Sequence, residues 1–118
     1  MEQLVASPVC DPDMDLEKSL RTYSGVGFSK FEAFTGWTAA RLDPAGDPEE
    51  YRRVADRCGM RIVSVHLPAI RADEDESLGW AVHTARFAHE VGAEVVIFKA
   101  DSLETYARTA GPFPEAVG

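Results

Sequence analysis

The sequence predicts an α/β protein built as a parallel (β/α)4 unit, and three observations carry that prediction. Short apolar, β-branched runs alternate with stretches whose apolar residues recur at helical spacing. Gly27, Gly59 and Gly92 each stand where a helix needs a left-handed residue to end, and they lie 32 and 33 positions apart. Polar residues where the strands run out keep the same step, 34 positions from Glu32 to His66 and 33 from His66 to Lys99. Strands alternating with helices call for a parallel sheet covered by helices. Units of this length suit either a (β/α) barrel or a doubly wound sheet. In both, ligands and chemistry collect at the C-terminal ends of the strands.

Residues 4–7 (Leu-Val-Ala-Ser) read as a first strand, ended by Pro8 and the turn-rich residues 10–13. A helix is expected from about Asp13, with Leu16, Leu20 and Tyr23 on one face, stopped by residues 24–27 (Ser-Gly-Val-Gly). Residues 28–34 alternate as a strand does, with Phe28, Lys30, Glu32 and Phe34 on one side. Residues 35–46 have no period, hold Gly36, Trp37, Pro44 and Gly46, and read as a long loop. At Asp47 a second helix begins: the carboxylate can accept backbone N–H bonds, Pro48 takes the first helical position and Glu50 completes a capping box. Its buried stripe is Tyr51, Val54, Ala55 and Cys58.

Residues 62–65 (Ile-Val-Ser-Val) form the central strand, with His66 at its C-terminal end and Pro68 preventing simple continuation of a ladder. The loop 67–76 closes on acidic residues 73–76, which suit the positive end of a helix dipole. Leu78, Ala81, Val82, Ala85, Ala88 and Val91 then share a helix face that stops at Gly92. Residues 94–98 are an apolar strand ending in Lys99. Asp101 or Ser102 caps a fourth helix using Leu103, Tyr106 and Ala110, and residues 111–114 (Gly-Pro-Phe-Pro) break it.

At 118 residues the chain is long enough for one domain with a core and too short for two. Its formal net charge of −8 repels phosphate backbones. Arg52, Arg53, Arg57 and Arg61 come closest to a basic patch, but acids flank them, so no nucleic-acid partner is expected. Cys10 and Cys58 have no metal-type spacing and are expected as reduced thiols. The opening Met-Glu-Gln-Leu lacks the basic region of a secretory signal. No apolar run approaches the roughly 20 residues that span a bilayer. The expectation is a soluble, cytoplasmic protein without a membrane partner.

Three segments, in this order and spacing, resemble the xylose isomerase-like barrel superfamily, the sugar phosphate isomerase/epimerases and their relatives. One is Leu16-Glu-Lys-Ser-Leu20 followed by Gly27-Phe-Ser-Lys-Phe-Glu32. Another is Cys58-Gly-Met-Arg-Ile-Val-Ser-Val-His-Leu-Pro68, and the last runs from Ala85 through Gly92-Ala-Glu-Val-Val-Ile97. The resemblance implies a (β/α)8 TIM barrel with its active site at the C-terminal strand ends. A complete barrel takes about 200–250 residues. Residues 1–118 therefore correspond to a single partial domain, the N-terminal half.

The resemblance further implies an isomerase or epimerase acting on a sugar, sugar phosphate or polyol through an enediol-like intermediate. A divalent metal (Mn2+, Mg2+, Co2+ or Zn2+) polarises oxygens there while a carboxylate moves a proton. The main ligands come from later strands that this chain lacks, so it is expected to have little metal-dependent activity alone. Completion would come from a homodimer or from a partner supplying the missing half. One branch of the superfamily cuts DNA at abasic sites with histidines ending strands three and four. His66 matches the first, but Lys99 stands in place of the second, and the acidic balance opposes that branch.

No catalytic residue is assigned at this level, and four residues are candidates for binding substrate. Glu32 can hold a substrate hydroxyl or pair with Lys30. His66 can contact substrate or serve as a hydrogen-bonded structural histidine. Lys99 would need a partner if its ammonium points into the mouth of the sheet, either a sugar oxygen, a phosphate or Glu32. Trp37 can stack on a sugar ring or pack beneath its loop. Trp80 is expected in packing, His83 and His89 on the surface. The competing reading is a small non-catalytic α/β binding or interaction module, flavodoxin-like in architecture.

Overall fold

A computed structural model describes residues 3–71 and 75–118. Its elements are α1 (Leu16–Val26), β1 (Lys30–Phe34), α2 (Pro48–Arg57), β2 (Arg61–His66), α3 (Asp75–Val91), β3 (Val95–Ile97), α4 (Leu103–Thr109) and α5 (Pro112–Val117). The three strands form one parallel sheet in chain order, β1-β2-β3. That order is the one half of a barrel requires, and one half of a doubly wound sheet, on one side of its switch point, shares it. Here each strand pairs with the next, α2 packs against both α1 and α3, and α2 and α3 both lie on β2. The helices thus share one side of an arc that winds in a single direction, as half of a barrel does.

Local chemistry sets the boundaries. The Asp15 carboxylate accepts the Lys18 N–H at 2.8 Å, so α1 begins at Leu16 rather than near Asp13. Gly27, Gly59 and Gly92 all hold positive φ (119°, 71° and 108°), which only glycine adopts without strain, and each follows a helix. Asp47 caps α2 through the Glu49 N–H at 3.0 Å. The expected capping box is only half made, because Glu50 Oε2 instead accepts Arg53 Nε and Nη2 at 3.2 and 3.0 Å.

Two strands are shorter than the apolar runs suggest. The expected strand 4–7 reduces to one bridge, in which Ala6 N–H donates to the Lys30 carbonyl and Glu32 N–H to the Ala6 carbonyl. Beyond it Ser7 turns the chain into a 3-10 turn at Pro8–Cys10, and proline has no N–H for a further rung. The run 94–98 supplies only Val95–Ile97, followed by an isolated bridge between Ile70 and Ala100. Phe98 leaves the ladder to stack on Phe113, 4.9 Å between ring centroids.

The C-terminal region departs further. Ser102 caps α4 as expected, accepting the Thr105 N–H, yet Leu103 is 84% exposed and Tyr106 49%, while Thr105 is buried. Pro112 does not end helical structure; it sits at the start of α5, where its missing N–H costs nothing, and Phe113 goes into the core. Asp75 and Glu76 occupy the first turn of α3, as their charge favours, whereas Asp73 and Glu74 lie outside the described residues. Among the described residues no helix is long and apolar enough to cross a membrane. Both thiols are free, Cys10 exposed and Cys58 buried.

Two apolar clusters hold the arc together. Leu20, Phe31, Met60, Ile62, Val65 and Phe87 fill the space between the sheet and its helices. Leu67, Ile70, Ala81, Ala85 and Phe113 fill a second cluster nearer the C-terminal strand ends. Ile62 and Val65 both reach the first cluster although simple alternation would put them on opposite faces. A register shift resolves this: Phe31 pairs with Ile62 but Glu32 with Ser64, so Val63 is an extra residue on β2. Past that bulge the parity flips, and Ser64 and His66 fall on the sheet face away from the helices. That inner face carries the rows Glu32–Ser64–Val95 and Phe34–His66–Ile97. It is only partly covered, and Val95 on the edge strand is 57% exposed.

Candidate functional site

The site forms where β1 and β2 end. Pairing of Phe34 with His66 puts the imidazole beside the phenyl ring and diagonal to Glu32. The bulge at Val63 is therefore what brings His66 to the face of Glu32. His66 Nε2 lies 2.7 Å from Glu32 Oε1. An ionised carboxylate only accepts, so the imidazole N–H donates. The two side chains keep 18% and 27% of their surface exposed, shielded from bulk water without being sealed from a ligand.

Phe34 fixes the rest of the cluster. Its ring stacks on His66 at 4.0 Å between centroids with 7° between planes, holding the imidazole flat. Trp37 meets Phe34 edge-on at 5.6 Å, and Lys99 Nζ stands 5.9 Å from the centre of the same ring, within cation–π range. Thr35 Oγ1 donates to the His66 carbonyl at 2.9 Å, tying the loop after β1 to the end of β2. Of the four sequence-predicted residues, His66, Lys99 and Trp37 thus gather around one phenyl ring, and Glu32 joins them through His66. Phe34 is the member that site reasoning missed, although it shares the strand face of Glu32 in the alternation pattern.

Their partners differ from the simplest expectations. Glu32 bonds to His66 rather than to Lys30 or Lys99, and Lys99 makes no ion pair among the described residues. Trp37 is 62% exposed rather than packed beneath its loop. It also holds φ at 50°, a left-handed conformation a bulky side chain rarely adopts. Strain of this kind persists where surrounding structure imposes it, and it gathers at ligand-binding sites.

This arrangement can handle protons. Glu32 fixes the tautomer that carries the proton on Nε2 and would stabilise the imidazolium if the ring gains a second proton. His66 Nδ1 makes no hydrogen bond among the described residues and is the basic atom left for a ligand. A divalent metal finds less here. Glu32 and His66 are two donors engaged with each other, fewer than the three or more protein ligands a catalytic zinc takes. No group of three His, Cys, Asp or Glu residues that could hold a metal occurs among the described residues. These residues alone do not make a metal centre.

No protein family profile matches the chain, and no curated protein sequence does. Solved structures do. A xylose isomerase domain containing protein from Salmonella typhimurium superposes with a TM-score of 0.70 at 16% identity, over 96% of this chain and 46% of that one. A xylose isomerase-like TIM barrel/4-hydroxyphenylpyruvate dioxygenase fusion protein gives 0.66 at 16% identity, over 98% of this chain and 20% of the other. A sugar phosphate isomerase/epimerase from Parabacteroides distasonis gives 0.59 at 17% identity, over 97% and 48%. The chain thus has the fold of half of a TIM barrel, and spans half or less of the length of the structures it matches.

Proposed function

We propose that this chain is the N-terminal half of an isomerase- or epimerase-like barrel that acts on a sugar or polyol. The observation that carries the reading is the Glu32–His66 pair, 2.7 Å apart at the C-terminal strand ends of a half-barrel whose inner face is open. The names of the structural neighbours support the substrate class. In this reading residues 1–118 act as one partial domain. His66 Nδ1 takes a proton from the hydroxyl-bearing carbon beside a substrate carbonyl, leaving an enediolate; the hydroxyl proton passes to the former carbonyl oxygen, and Nδ1 returns its proton to the former carbonyl carbon. Glu32 holds the imidazolium meanwhile, so the step is redox-neutral and consumes no co-reactant. Lys99 faces the oxygen that gains negative charge, and Trp37 lies against the ring.

The remainder of the site comes from a second half-barrel, supplied by another copy of this chain or by a partner. A divalent metal, if the completed site uses one, draws most of its ligands from there. The alternative is a small non-catalytic α/β binding or interaction module.

The test follows carbon-bound protons. The chain is incubated in D2O with a panel of ketoses, aldoses and inososes, with and without Mn2+. It is assayed alone and with the C-terminal half of the Salmonella neighbour supplied in trans. Deuterium entering the substrate beside its carbonyl is the expected result with the second half present, with little from the chain alone. His66→Asn should cut the rate about 10²–10⁴-fold, the range general acid–base groups contribute. Exchange unaffected by both His66→Asn and Glu32→Gln would remove this pair from the chemistry. Sugar binding without exchange would favour the binding module.

A further inference from the structure

Beside the Glu32–His66 pair lies a cleft that this reading does not use. It measures about 480 Å3 and is lined by Thr35, Arg41, Leu42, Asp43, Pro44 and Trp80. Thr35 belongs to both places, since its hydroxyl is bonded to the His66 carbonyl. Trp80 was expected to be packing, yet it is 43% exposed and also walls a neighbouring cleft with Pro68 and Gly79. One face of the indole is covered by His83, stacked at 5.1 Å with 19° between planes, and His83 Nε2 is anchored 2.9 Å from the Pro44 carbonyl. The ring is thereby fixed at the cleft wall with apolar surface on offer.

The polar groups opposite it are undercommitted. Asp43 Oδ1 accepts the Ala45 N–H at 2.9 Å, and its other carboxylate oxygen has no partner among the described residues. Arg41 Nη1 donates to the Thr38 carbonyl at 3.1 Å, leaving its other N–H groups unused. Arg41 and Asp43 do not pair with each other, although they line the same cleft. A carboxylate and a guanidinium at one cleft, beside a rigid indole, suit adjacent hydroxyl groups on a ring whose C–H face lies on the aromatic surface. The carboxylate, in a protein of net charge −8, opposes a phosphate there.

We infer that this cleft is a subsite for a second, neutral hydroxylated ring, so that the substrate is a glycoside rather than a single sugar or sugar phosphate. The inference rests on the sugar reading of the Glu32–His66 site and extends it outward through Thr35. It uses residues of this chain only, and so does not depend on what completes the barrel.

The two indole N–H resonances of the 15N-labelled chain test both sites together, with Trp37→Phe assigning the signals. The probes are maltose, cellobiose and sucrose, with glucose and fructose as single-ring controls. A disaccharide should move the Trp80 signal saturably, with a dissociation constant on the order of millimolar, while the single rings do not. Asp43→Asn keeps the bond to Ala45 and so the loop; it and Arg41→Ala should each weaken binding roughly tenfold, the equivalent of about one hydrogen bond to a charged group. A Trp80 signal indifferent to every disaccharide, or shifts unchanged in both variants, overturns the subsite. The inner site reports separately through Trp37. If Trp37 responds to sugars in a His66-dependent way and Trp80 does not, the sugar reading stands without the subsite. If only Trp80 responds, the subsite stands and the role of the Glu32–His66 pair falls.

Discussion

At the scale of single residues, the Glu32–His66 contact has an intermediate setting. Fully exposed ion pairs contribute little because water screens them, whereas sealed pairs carry large desolvation costs. With side chains 18% and 27% exposed and a 2.7 Å separation, this pair should couple measurably without dominating stability. Urea unfolding of the wild type, Glu32→Ala, His66→Ala and the double variant should give a coupling of about 1 kcal/mol. Strict additivity would mean that the two groups do not hold each other in solution and that Glu32 does not orient the imidazole. Another residue-scale effect is independent of function. Thr38 is buried in the loop after β1, and its hydroxyl has no partner among the described residues. Replacing it with the isosteric valine removes an unsatisfied polar group and should raise stability by about 1 kcal/mol in the same assay. A loss of similar size would show that the hydroxyl is satisfied in solution.

At the scale of elements, helix ends and the strand-end residues were legible in the sequence, while strand lengths and the outer helices were not. Caps and glycine stops are local: Asp47 and Ser102 each need only a backbone N–H two or three residues away. Gly59 shows how local the stop is. Its φ is 71°, and an added Cβ would meet only Ser24 Oγ at an ordinary 3.5 Å. Gly59→Ala should therefore cost about 1–2 kcal/mol through backbone conformation alone, read as a lower urea midpoint with an unchanged slope. An unchanged midpoint would mean that the α2–β2 junction relaxes elsewhere. By contrast, apolar periodicity identifies a face but not whether anything arrives to cover it. Leu103 and Tyr106 belong to the stripe the pattern predicts, yet Leu103 is 84% exposed and Tyr106, in ring contact with Phe98, keeps 49% of its surface in solvent. The Val63 bulge was illegible for a related reason, since register depends on a neighbouring strand. That His66 ends a strand could be read from the sequence; that it faces Glu32 depended on the bulge, and the grouping around Phe34 on how the strands pair.

At the scale of the molecule, the same uncovered surfaces form a pattern. The Cα radius of gyration is 14.6 Å, with extents of 42 × 25 × 25 Å. A compact globule of this length would have a radius of about 13.5 Å. The excess suits an arc with an open side. Both of its ends carry exposed apolar residues, Leu4 and Val5 beside the Ala6 bridge, and Val95, Leu103 and Tyr106 beside or after β3. In a closed barrel the first and last strands meet further strands, so each end presents an unpaired edge and apolar side chains that another half-barrel would cover. The chain by itself should therefore self-associate, and light scattering should show a mass above that of a monomer. Val95→Lys discriminates between an ordered contact and a general stickiness. It places a charge on the inner face of the edge strand at a residue already 57% exposed, where folding stability should change by no more than about 0.5 kcal/mol. Loss of association with an unchanged melting temperature would assign the contact to that edge and face, which is also the face that carries Glu32 and His66. A wild-type chain that stays monomeric at high concentration would show that the open face is tolerated in water, and self-completion of the barrel would be ruled out.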